Sequence, residues 1–72
     1  MGTLANISTD EAIKVFKKLG WDFDRKRGSH IVLVKSGAKN LVLPERKEMR
    51  PGTLRGLIRD AEITVDEFLA LH

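Results

Sequence analysis

The chain has 72 residues, is 42% hydrophobic and contains no cysteine, which bounds it to one small core, a single domain over residues 1–72, with no disulfide or thiolate zinc site to staple it. Thirteen Lys+Arg against ten Asp+Glu give a net charge of +3, a mildly basic balance that permits a polyanionic partner without demanding one. No apolar run approaches the ~18 residues of a membrane span and no signal-peptide pattern opens the chain, so the expectation is a soluble, cytoplasmic protein with no membrane partner.

"ISTDEAIKVFKKLG" predicts a first helix over about residues 9–19. Ser8 and Glu11 have capping-box spacing, with Thr9 as a competing N-cap. Ala12, Val15, Phe16 and Leu19 recur on one helical face, and Gly20 suits the position after the helix. In "WDFDRKR", Trp21, Phe23, Arg25 and Arg27 alternate with Asp22, Asp24 and Lys26, which suits a strand. Gly28-Ser29 signals a turn, and "HIVLVK" a second, apolar strand. "SGAKN" reads as a hairpin loop, and "LVL" as a third strand ended by Pro44. Short connections make these an antiparallel meander with the second strand central.

"PERKEMRPG" reads as a polar loop in which Arg46, Lys47 and Arg50 are expected to be disordered. "TLRGLIRDA" predicts a second helix with Thr53 as its cap and Pro51-Gly52 breaking what precedes it. On it Leu54, Leu57, Ile58 and Ala61 form an apolar face, with Arg55 and Arg59 together beside it. "TVDEFLALH" predicts a short terminal helix with a second capping box, Thr64 and Glu67. Trp21, Phe16, Phe23 and Phe68 read as core, and His72 as a frayed end.

The fold class is therefore α+β: a two-layer sandwich in α-β-β-β-α order plus a short C-terminal helix, over a three-stranded antiparallel sheet. On the central strand Ile31 and Leu33 point one way, Val32 and Val34 the other. Helices cover only one of these faces, so the second suggests a partner, a dimer, or cover from the terminal helix, the alternative being one or two exposed valines that need no explanation.

The cations are concentrated. Residues 25–59 carry Arg25, Lys26, Arg27, Lys35, Lys39, Arg46, Lys47, Arg50, Arg55 and Arg59, opposed only by Glu45 and Glu48. Two histidines and no cysteine make a metal site untenable, and no Walker or dinucleotide motif is present. Ser29 and His30 are neighbours on an extended chain and point apart, which argues against a nucleophile–base pair.

His30 is left, either as an edge histidine bonded to a loop carbonyl or as a catalytic imidazole. It begins a strand, follows Arg25-Lys26-Arg27, and is preceded by a glycine where a backbone N–H can approach phosphate. One histidine with several cations and no metal suits RNA cleavage, because the 2′-hydroxyl is an internal nucleophile. DNA lacks it and usually needs a metal-activated water. Arg55 and Arg59 form a candidate phosphate platform.

The run "LGWDFDRKRGSHIVLVK…LVLPERKEMRPGTLRGLIRDAEITVDEFL" resembles the HicA family of toxin–antitoxin systems, which are small mRNA interferases. The resemblance spans about Ile13 to Leu71. It rests on Gly20-Trp21, Arg25, Gly28-Ser29-His30, Pro44 and Gly52-Thr53-Leu54-Arg55, in that order and spacing. It implies a double-stranded-RNA-binding-domain-like fold and metal-independent endoribonucleolytic cleavage of mRNA without a small-molecule cofactor. His30 matches the family's catalytic histidine, and the implied protein partner is a HicB-type antitoxin that blocks the RNA surface. Lys26, Arg27, Gly28 and Ser29 are then expected to hold the scissile phosphate, with Arg55 and Arg59 extending the RNA track. Two positions depart from the pattern. Arg46 and Lys47 stand where many members have a histidine after the proline, and Glu62 where a glycine often ends the second helix. The rival reading is a non-catalytic RNA-binding module of the same fold.

Overall fold

The capping box at Ser8 forms as its spacing predicts. Ser8 Oγ accepts from the Glu11 N–H and Glu11 Oε1 from the Ser8 N–H, both at 3.1 Å. Helix α1 then runs Thr9–Lys18 in the computed structural model, which describes residues 3–72. Strands β1 (Asp22–Arg27), β2 (His30–Val34) and β3 (Leu41–Pro44) follow, then helices α2 (Pro51–Asp60) and α3 (Val65–Leu71). The sheet is antiparallel in the order β1-β2-β3. The fold is thus the expected α+β arrangement with the second strand central. Among the described residues no helix is long and apolar enough to cross a membrane.

One layer of helices meets one face of the sheet. Ala12, Val15 and Phe16 from α1, Leu54, Leu57 and Ile58 from α2, and Phe68 from α3 close over Ile31, Leu33, Leu41 and Leu43. Phe16 sits at the centre, with Phe68 tilted against it at 5.5 Å and Trp21 edge-on at 6.5 Å between ring centroids. Phe23, read as core, is 53% exposed instead. Its register partner is the buried Leu33, but β1 is the edge strand of the sheet, and the ring stays open to solvent at that margin.

The second helix begins two residues earlier than its composition suggests. Pro51, read as a breaker, is its first residue, Arg50 is the N-cap without a side-chain bond, and Thr53 lies inside the helix. Proline fits the first helical position because its missing N–H has no intrahelical partner there anyway. At the other end Glu62 takes φ +59°. Its N–H donates to the Arg59 carbonyl at 3.0 Å and the Ile63 N–H to the Ile58 carbonyl at 3.3 Å, the two bonds of a Schellman cap. A side chain in this left-handed conformation is strained and glycine is not. Glu62→Gly is therefore expected to stabilise the fold by roughly 0.5–1 kcal/mol, less the backbone entropy glycine adds to the unfolded chain; urea unfolding midpoints measure it.

The loop after β3 is held, not disordered. Met49 is buried and its N–H donates to the Ile7 carbonyl at 2.8 Å. Thr9, 1% exposed, donates from Oγ1 to the Pro44 carbonyl at 2.6 Å and accepts from the Arg46 N–H at 2.8 Å. Its own N–H donates to the Arg46 carbonyl at 3.0 Å. Ser8 is the cap, which leaves Thr9 free to clamp the end of β3 to the start of α1.

His72 is also engaged. Its Nε2 lies 2.6 Å from Glu11 Oε2, and since a carboxylate only accepts, the imidazole N–H donates. That bond, followed by the bonds from the backbone and hydroxyl of Ser8, holds the Glu11 carboxyl below its ordinary value of 4.5. A carboxyl with a depressed folded-state pKa stabilises above its unfolded value and loses that contribution as pH falls through the folded one. Glu11→Gln is thus expected to lower stability at neutral pH and to flatten the acid limb of the stability–pH curve below about pH 4.5, where the two proteins converge, as thermal melts across pH report.

Candidate functional site

The turn that carries His30 is a two-residue hairpin. Arg27 pairs with His30 across it. Gly28 has φ +59° and Ser29 is not left-handed, the pattern of a type II′ turn, which calls for glycine first. A Cβ built on Gly28 would meet nothing within 4 Å, so the backbone there is open to a ligand. The turn is tied from behind: the Glu45 N–H donates to the Ser29 carbonyl at 2.7 Å. Through Pro44, which pairs with His30, and the Thr9 clamp, this end of the sheet is fixed to the start of α1.

Strand alternation decides what shares a face with His30. Ile31 and Leu33 enter the core, so His30, Val32 and Val34 face away from the helices. On β1, Arg27 lies opposite His30 and Arg25 opposite Val32; on β3, Val42 lies opposite Val32. The outer face thus has a cationic side, an apolar side and an imidazole at one end. Val32 is 5% exposed, though it lies outside the core cluster, while Val42 is 49% exposed. The terminal helix does not cover this face; α3 packs on α1 and α2.

The expected site residues divide between places. Arg27, Gly28, Ser29 and His30 come together at one hairpin, all exposed. Among the described residues Arg27 forms no ion pair, while Arg25 contacts the neighbouring Asp24 carboxylate. Lys26 pairs with Ile31 and so belongs to the helix-side face, where its Nζ meets Glu45 Oε2 at 3.0 Å. Arg55 and Arg59 are exposed on α2, in the helical layer rather than on the sheet face of His30. Two residues that position the site were not evident from composition. Thr9 was visible only as a competing cap, and Glu45 only as one of two acids in a basic tract.

No curated protein matches the chain significantly. The model of the family described as the HicA toxin of bacterial toxin–antitoxin systems matches residues 9–63, from the Thr9 clamp through the His30 hairpin to the cap of α2. With over half its length covered in that way, the chain belongs to the HicA toxin family.

Proposed function

We propose that this toxin is a metal-independent endoribonuclease that cleaves mRNA, with His30 as its proton acceptor, and that a HicB-type antitoxin neutralises it. The observation that carries the reading is an exposed imidazole at the start of a central strand, directly opposite the unpaired Arg27 and next to the open Gly28 turn. His30 takes the proton of a 2′-hydroxyl. The 2′-oxygen forms a bond to the adjacent phosphorus, the bond from phosphorus to the 5′-oxygen breaks, and the imidazolium or a water returns a proton to that oxygen. The products are a 2′,3′-cyclic phosphate and a 5′-hydroxyl. Arg27 and the N–H groups of the Gly28-Ser29 turn meet the negative charge that builds on the phosphorane. Arg55 and Arg59 extend the phosphate track on the helical side. Val42, half-exposed on the same outer face as His30, gives the antitoxin an apolar seat from which it also closes the imidazole off.

The test is incubation of end-labelled RNA with the purified protein, with and without EDTA. Shortened fragments are expected in both, and none from His30→Ala. Strict dependence on a divalent cation would overturn the mechanism. Intact RNA that only shifts in a gel would make the protein an RNA-binding module.

A further inference from the structure

The basic tract is not uniformly free to bind an anion. Glu45 sits inside it and is fixed at both ends: its N–H donates to the Ser29 carbonyl at 2.7 Å, and its Oε2 meets Lys26 Nζ at 3.0 Å. Both partners are about half-exposed, at 47% and 48% of their side-chain surface, so water and a competing anion reach the pair. The backbone bond anchors the carboxylate to the hairpin turn that carries His30. Lys26 is consequently neutralised by an anion built into the fold, one turn from the imidazole, while Arg27 on the other face is not.

We propose that Glu45 is an affinity-limiting residue: its carboxylate stands in for a phosphate on Lys26, and RNA gains that lysine only by displacing it. The proposal rests on RNA being the ligand. Its consequence lies in counterion accounting. Each phosphate neutralised by a free lysine releases condensed cations and steepens the salt dependence, by about 0.7 in log–log slope for a single strand. When the lysine must first leave a carboxylate, the exposed carboxylate recruits a cation in its turn, and the net release at that position falls towards zero. Lys26 then contributes little to binding while Glu45 is present.

The experiment uses the full chain in a His30→Ala background, so that RNA stays intact, with a fluorescein-labelled single-stranded RNA of about 20 nucleotides followed by anisotropy over a salt series. Glu45→Gln keeps the backbone N–H and the side-chain shape. It is expected to tighten binding roughly two- to fivefold at low salt, the range of one exposed ion pair, and to steepen the salt slope by about 0.7. Adding Lys26→Met should remove both gains. An unchanged affinity and slope in Glu45→Gln overturns the proposal alone. So does a gain that persists without Lys26, which would mean general repulsion by the carboxylate. Absence of RNA binding by every variant overturns the RNA reading, and this proposal with it.

Discussion

His30→Ala is expected to lower RNA cleavage by at least about a hundredfold, the lower end of what a positioned acid–base group contributes, without loss of the fold. The side chain is exposed and the residue's strand pairing runs through its backbone, to Arg27 on one side and Pro44 on the other. Alanine leaves those bonds in place, along with the bond from Glu45 to Ser29. Surface changes of this kind move stability by about 0.5 kcal/mol or less, so the melting temperature should hold while cleavage disappears. His30→Gln sharpens the result: an amide can hydrogen-bond but cannot take a proton at neutral pH, and it should fail as alanine does. In cells, the same substitution should relieve growth arrest and preserve mRNA. A His30→Ala protein that cleaves RNA at the wild-type rate would refute the role of the imidazole.

Thr9→Val should have the largest effect on stability. Valine matches threonine in shape, so no cavity opens, but Oγ1 both donates to the Pro44 carbonyl and accepts from the Arg46 N–H in a site 1% exposed. Removing the hydroxyl leaves a part-buried carbonyl and a part-buried N–H without this partner, each at up to about 1–3 kcal/mol. A loss of about 2–3 kcal/mol is expected, which lowers the melting temperature of a domain this small by roughly 10–20 °C. Thr9→Ser keeps the hydroxyl and should lose much less, separating the hydrogen bonds from the packing. Pro44 is the register partner of His30, so the valine variant should also slow cleavage at temperatures where it remains folded. A valine variant as stable as the wild type would show that the clamp contributes nothing.

Much of this arrangement was legible in the order of residues, because it depends on local chemistry. The capping boxes at Ser8 and Thr64, the 3.6-residue apolar rows of α1 and α2, and the strand that starts at His30 each follow from neighbours a few positions apart. Legible too was the conjunction of cations, a glycine turn and one imidazole in "RKRGSH". The helix start at Pro51 was legible in principle, since proline marks the first turn of a helix as well as the end of what precedes it.

What was not legible depended on parity and on distant partners. Unbroken alternation places Trp21 and Phe23 on the same face as Arg25 and Arg27. The bulge between Phe23 and Arg25 inserts one residue and reverses that parity, so Trp21 enters the core while both arginines face out beside His30 and Val32. A shift of one residue exchanges every side chain between faces, and no local pattern announced it. Likewise Thr9 meets Pro44 across 35 positions and Lys26 meets Glu45 across 19, separations at which a sequence carries no periodic signal. The sequence by itself determined the elements, their order and the residues able to move a proton or bind phosphate. Only the tertiary structure decided which of them share a face, because that is set by strand register, a bulge, and hydrogen bonds between chain segments far apart.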